Sequence, residues 1–228
     1  MFFLLKRIGN TFFYTLIWII DSFSIIAGLW HVFRLRPPRV TFFGGAKLKL
    51  DDPYAKAAEA LASILVQHDI SIITGGGGGI MEAAAIGAQK IRKDGKSMIN
   101  NLGISVSGLE EGATPLIYSS FVRIKDFVMR KWLMIHFSSA YIIFPGGVGT
   151  YDELAEILTL MDTGKLKGNP IVLYGKEYWK KLEVWVDDGL QRGFIHPHVK
   201  EFFIIADDVQ TAFSFICNSC ACDGYKII

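Results

Sequence analysis

The sequence predicts an α/β chain, with a mostly parallel sheet covered by helices on both faces and one apolar helix in front of it. Three observations carry that expectation. Short apolar runs such as Val40–Phe43, Ile70–Ile73 and Tyr141–Phe144 alternate with longer stretches of helical periodicity. Three of these runs lead into glycines, at Gly44-Gly45, Gly75 to Gly79 and Gly146-Gly147. A nearly balanced charge of +2 over 228 residues suits one domain with a two-sided core.

The N-terminal segment leaves alternatives open. Residues 11–30 are long and apolar enough for a membrane span, and Lys6-Arg7 ahead of them also fits a signal peptide ending near Ser22-Phe23-Ser24. However, Phe12, Leu16, Ile19, Phe23, Ile26 and Trp30 recur at steps of four and three, tracing one stripe with Asp21 opposite. An Asp near the middle of a span costs roughly 2.5–3.5 kcal/mol. The favoured reading is an amphipathic helix within residues 1–36, its stripe docked on the domain or on a partner subunit. Membrane association through residues 11–30 is the alternative.

Pro37-Pro38 should end that helix. Val40–Phe43 reads as the first strand, and Asp52-Pro53 as the N-cap and first position of a helix carrying Ala58, Leu61, Leu65 and Val66. Ile70–Ile73 is a strand, Ile80 to Ile91 a helix and Leu102–Val106 a strand; the turn-rich segment from Ser107 to Leu116 is placed along a cleft. Phe121–Ile124 and Tyr141–Phe144 are strands flanking a helix near Phe127–Phe137. Strands at Ile171–Tyr174 and Phe202–Ile205 then alternate with helices at Tyr178–Leu190 and Val209–Ile216. The main domain is expected over residues 37–217, with a tail over 218–228.

Ala140 to Leu154 is the stretch richest in chemical information. A buried strand ends at Pro145, and Gly146, Gly147 and Gly149 precede Thr150, read as the N-cap of a helix patterned by Leu154, Ile157, Leu158 and Met161. Such a turn aims backbone N–H groups at one point, where the helix dipole favours an anion. Thr150 and Glu153 also match a capping box, which would bind nothing. The glycine spacing does not fit a dinucleotide fingerprint, because Ile80, Met81 and Asp152 stand where a third glycine would be needed, and no G-x-x-x-x-G-K-[ST] Walker loop occurs. A smaller anion such as a nucleoside monophosphate remains.

Glu153 and Arg130 are the candidate chemical groups. A carboxylate beside a sugar phosphate stabilises positive charge on the sugar and orients water, and a guanidinium holds phosphate or a departing base. Lys131 reads as a solvent or dimer-contact residue. Composition gives no basic array for nucleic acid. Cys217, Cys220 and Cys222 fit reduced cytosolic thiols and complete no ligand set, while His31, His68, His136, His196 and His198 are scattered and read as structural. Neither metal nor cofactor is expected.

Pro145-Gly-Gly-Val-Gly-Thr-Tyr-Asp-Glu153, with Met129-Arg130-Lys131 and Gly75-Gly-Gly-Gly-Gly-Ile-Met-Glu-Ala83, resembles the LOG ("lonely guy") family of cytokinin riboside 5′-monophosphate phosphoribohydrolases, long labelled lysine decarboxylase-like. The resemblance spans about Val40 to Ile216. It implies a Rossmann-like three-layer fold, a cytoplasmic homodimer with sites near the interface, and hydrolysis of a nucleoside 5′-monophosphate to free base and ribose 5-phosphate. It assigns catalysis to Arg130 and Glu153, and phosphate binding to Gly146, Gly147, Gly149 and Thr150. Gly44, Gly45, Gly76, Gly77, Met129 and Lys131 join the substrate site by the same match. Gly45 replaces a Ser of the family pattern, Ala85 an Asn of close bacterial relatives, and Ser107-Gly108-Leu109 departs from their cleft segment.

Overall fold

The computed structural model describes residues 23–91, 100–108 and 114–222. Its centre is a seven-stranded sheet in the order β4-β3-β2-β1-β5-β6-β7, with every neighbouring pair parallel. The strands are β1 (Arg39–Phe43), β2 (Ser71–Thr74), β3 (Asn101–Val106), β4 (Ser120–Ile124), β5 (Ala140–Ile143), β6 (Ile171–Tyr174) and β7 (Phe203–Ala206). The chain builds outward from β1 to one edge, then returns to lay β5 against the other side of β1. That reversal creates a switch point between β1 and β5, where parallel α/β sheets open a ligand crevice beyond the strand ends.

Alternation along each strand explains the three layers. Phe42, Ile72 and Ile142 point into a core formed with α2 (Pro53–Gln67), α3 (Ile80–Lys90) and α7 (Val209–Cys222). Phe43, Ile73 and Ile143 point to the opposite core, formed with α1 (residues 23–33), α4 (Phe127–His136), α5 (Val148–Asp162) and α6 (Lys176–Gln191). Two-sided burial is why the strands read as continuous apolar runs. Asp52 caps α2 as expected, accepting from the Tyr54 N–H at 2.8 Å, with Pro53 opening the helix. α7 runs through Cys222, beyond residue 217 where the domain was expected to end.

On its own domain, the first helix docks by a face other than the expected stripe. Gly28 lies against α4 and β4, where an added Cβ would come within 2.5 Å of Leu133 and 2.9 Å of Ile124. Val32 and Leu35 are buried in the same core, Leu29 packs on it, and His31 Nδ1 lies 2.6 Å from the Ser120 hydroxyl. Phe23, Ile26 and Trp30, the described part of the expected stripe, are instead 61–67% exposed. Periodicity identified a helix with an apolar stripe, but a second apolar side built around Gly28 allows the closer approach. Phe12, Leu16, Ile19 and Asp21 lie outside the described residues. No helix among the described residues is long and apolar enough to cross a membrane.

Candidate functional site

Three loops meet beyond the ends of β1, β2 and β5. The Gly45 N–H donates to the Pro145 carbonyl at 2.9 Å, and the Ile80 N–H donates to the Gly45 carbonyl at 3.2 Å. A Cβ on Gly79 would lie 2.2 Å from the Gly45 oxygen, and one on Gly146 would lie 2.1 Å from the Thr150 hydroxyl oxygen. Close backbone approach requires glycine at Gly79, and at Gly146 the buried Thr150 side chain, with the Gly45 nitrogen 2.9 Å away, leaves no room for a Cβ. Gly44 abuts the Ile80 side chain, and Gly76 (φ +70°) donates its N–H to Thr74 Oγ1 at 3.2 Å. A Cβ on Gly77 would crowd Met81.

Gly147 and Gly149 behave differently. Both are exposed, and an added Cβ on either would meet nothing within 4 Å. Gly147, not Thr150, is the N-cap of α5, and no side chain caps it. The helix starts earlier than expected because Val148 and Gly149 already form its first turn. Thr150 sits buried inside that turn, donating its N–H to the Gly147 carbonyl at 3.0 Å. Val148 and Gly149 precede that first helical hydrogen bond, so their N–H groups and the helix dipole remain available for an anion.

Glu153 turns toward Arg130. Its Oε1 lies 3.6 Å from Arg130 Nη1, an ion pair rather than a hydrogen bond. Asp126 opens α4 by accepting from the Met129 N–H at 2.8 Å, which sets Arg130 one residue further on beneath the loops. Arg130 Nε donates to the Ile104 carbonyl at 2.9 Å and Nη2 to the Gly75 carbonyl at 3.3 Å. The guanidinium also lies 5.5 Å from the Phe127 ring centroid. A Cβ on Gly75 would sit 1.9 Å from Nη2, so glycine there admits the arginine. The fork is held in place with donors to spare.

Both groups are buried, at 8% and 9% exposure. Burial pushes the Glu153 carboxyl up from 4.5 to about 7, against the opposing pull of Arg130. Burial lowers the Arg130 pKa, and Glu153 pulls it back up. A carboxyl poised near neutrality beside a fixed guanidinium is suited to exchanging a proton or meeting developing positive charge.

Lys131 has a different setting. Its Nζ lies 2.7 Å from both Asp152 Oδ2 and Glu156 Oε2, tying α4 to α5 within one chain. Burial acts to lower its pKa, and the two carboxylates outweigh it, leaving the ammonium raised. Lys131 is thus half-buried and engaged within its own chain, which differs from the solvent-facing half of the expectation. Met129 is half-buried and packs against the core of the α4 layer.

Sequence reasoning missed Tyr118. Its hydroxyl meets Thr74 Oγ1 at 2.8 Å and the Met81 carbonyl at 3.4 Å, bracing the β2 loop, and burial drives its pKa up. The only available signal was an aromatic residue just past the turn-rich segment. The Tyr178 hydroxyl likewise donates to the Gly146 carbonyl. An apolar groove of about 480 Å³ between α5 and α6, lined by Tyr151, Leu158, Trp185 and Phe194, uses another face of α5 and contains neither Arg130 nor Glu153. It is not the candidate site.

A parallel three-layer sheet domain, with glycine loops converging beside a buried acid–guanidinium pair, defines a Rossmann-like α/β protein. Residues 81–216 match the model of the family described as "Possible lysine decarboxylase", and the chain belongs to that family, which includes the LOG proteins. It is 28% identical over 184 residues to a cytokinin riboside 5′-monophosphate phosphoribohydrolase of Rhodococcoides fascians, covering 80% of this chain and 91% of that one. It is 26% identical to the Arabidopsis thaliana phosphoribohydrolase LOG5, covering 79% and 77%. The molybdenum cofactor carrier protein of Chlamydomonas reinhardtii superposes with a TM-score of 0.58 at 20% identity, over 82% and 99% of the two chains. DNA processing protein A of Helicobacter pylori gives 0.51 at 14% identity, over 78% and 79%. These two structural likenesses establish a shared fold.

Proposed function

We propose that this protein hydrolyses the N-glycosidic bond of a nucleoside 5′-monophosphate, AMP or an N6-substituted adenine analogue, releasing free base and ribose 5-phosphate. The observation that carries the reading is the buried Arg130–Glu153 pair, 3.6 Å apart, beside the open Gly146–Thr150 turn. The names of the curated relatives support hydrolase chemistry at the level of the family. The phosphate docks on the exposed N–H groups of the α5 turn, and Gly44, Gly45, Gly76 and Gly77 shape the adjoining floor. Ionised Glu153 faces the anomeric carbon, where it stabilises the oxocarbenium-like transition state and orients the attacking water. Arg130 keeps its charge throughout and holds the phosphate or the leaving base.

Chromatography of nucleoside monophosphates incubated with the full chain tests this. Free adenine and ribose 5-phosphate in equal amounts from AMP are expected. Tight calorimetric binding of mononucleotides with no base release over hours would establish instead a binding or sensing protein. Gly45, in place of the family pattern's Ser, and Ala85, in place of the Asn of close bacterial relatives, are the features favouring that second reading.

Two further expectations join the proposal. The protein forms a homodimer, which light scattering reads directly as twice the chain mass. The exposed Phe23, Ile26 and Trp30 continue the apolar period of residues 11–22, which supports membrane association through residues 11–30. Fractionation of the full chain against one starting at Pro38 tests it; equal solubility of the two would contradict it.

A further inference from the structure

The far end of α5 carries a second cluster of ligating groups, unrelated to the chemistry proposed above. Asp162 is the last residue of α5, and His196-Pro197-His198 leads into the 3-10 turn Pro197–Glu201 between α6 and β7. His196 Nδ1 and His198 Nε2 each lie 2.9 Å from the same carboxylate oxygen, Asp162 Oδ1. The three groups offer ligand atoms all within 4.8 Å of one another. The two imidazole rings are nearly parallel, 9° apart in plane and 5.4 Å between centroids. His198 is further packed edge-on against Phe202 at 5.3 Å.

We infer that Asp162, His196 and His198 form a binding site for a divalent transition-metal ion of the zinc class. Two imidazole nitrogens and one carboxylate oxygen are the donor types that zinc, cobalt and nickel accept, whereas magnesium and calcium take oxygen. Zinc bonds of about 2.0–2.2 Å in a tetrahedron place neighbouring ligand atoms roughly 3.3–3.6 Å apart. The present 2.9 Å contacts reach that separation by shifts of a few tenths of an ångström. Both histidines are exposed, so an ion reaches them from solvent, and water completes its coordination. The C-terminus of α5 presents the negative end of its dipole, which favours a cation. The nearby Lys200 ammonium is engaged by Asp187 and does not compete for Asp162. A bound ion would clamp the α6–β7 connection to α5, the helix that carries Glu153.

The test is titration of the full chain with zinc chloride, read by calorimetry and by melting temperature. One ion per chain and a raised melting temperature reversed by chelator are expected. His196→Ala and His198→Ala each weaken binding at least about tenfold, the loss already typical of residues that only support a ligand. Both substitutions are at the surface and leave the metal-free melting temperature near that of the parent chain. Cys217, Cys220 and Cys222 lie on α7, across the sheet, and provide an independent control. Zinc binding of unchanged affinity in the His196→Ala/His198→Ala double variant would assign the ion to those thiols and overturn the inference. So would no zinc response in the parent chain, or an equal response to magnesium chloride.

Discussion

Arg130–Glu153 and Lys131–Asp152 are two ion pairs joining the same two helices through consecutive residues, and they differ in almost everything else. The first pair is about nine-tenths buried, separated by 3.6 Å, and surrounded by loop carbonyls and glycine. The second is tighter, at 2.7 Å, shared with Glu156, and open to solvent on its acidic side, where Asp152 is 48% exposed. Burial dominates the Glu153 pKa despite its cationic partner; at Lys131 the acidic partners dominate. One residue of helical rotation thus separates a group whose proton is held near neutrality from a tie that merely joins two helices. Distance alone would rank the pairs the other way.

Removing one half of each pair should have unequal consequences. Arg130→Met leaves Glu153 buried without its cation and should destabilise by about 3–5 kcal/mol above neutral pH. The loss should shrink in acid, where Glu153 protonates, and denaturant titration at pH 5 and pH 8 reads the difference. A loss below about 1 kcal/mol at both pH values would show that the pair is solvated, as surface pairs are.

The pH dependence of the unaltered chain is the next largest effect. The folded pKa of Glu153, about 7, exceeds its ordinary value of 4.5, so the folded state retains a proton that the unfolded chain releases. This contribution to stability is fully present below 4.5 and is lost as pH rises through about 7, beyond which it is flat. Its size is on the order of a few kcal/mol. Glu153→Gln should flatten that part of the profile. An unchanged slope in the variant would place the responsible carboxyl elsewhere.

Lys131→Met should cost about 1 kcal/mol or less, more at low salt than at high, and leave base release nearly intact. If turnover vanished instead, Lys131 would belong to the substrate site, as the family resemblance implied, and the contrast between the pairs would fail. The smallest effect is expected at Trp30→Ser on the outer face of α1, within about 0.5 kcal/mol by thermal melting.

Much of the fold was legible because buried parallel strands announce themselves as short apolar runs ending in glycine. The Asp52-Pro53 start and the converging loops at Gly44-Gly45, Gly75 and Gly146 were readable for the same local reasons. What escaped depended on contacts distant in sequence. Thr150 looked like a cap because its side chain suits one, yet the glycines let α5 begin sooner, freeing Glu153 to face Arg130. The docking side of α1 turned on Gly28 meeting Leu133, which periodicity weights as nothing. His196 and His198 looked scattered because their common partner, Asp162, is more than thirty residues away.

In the proposed reaction, burial rather than proximity to a cation singles out Glu153 over Asp152 as the chemical carboxylate. Base release from AMP by Glu153→Gln and by Asp152→Asn, neighbours on one helix, tests it most directly. A fall of about 10²–10⁴-fold is expected for the first, with its fold preserved, and nearly unaltered release for the second. Comparable turnover in the two folded variants would contradict it.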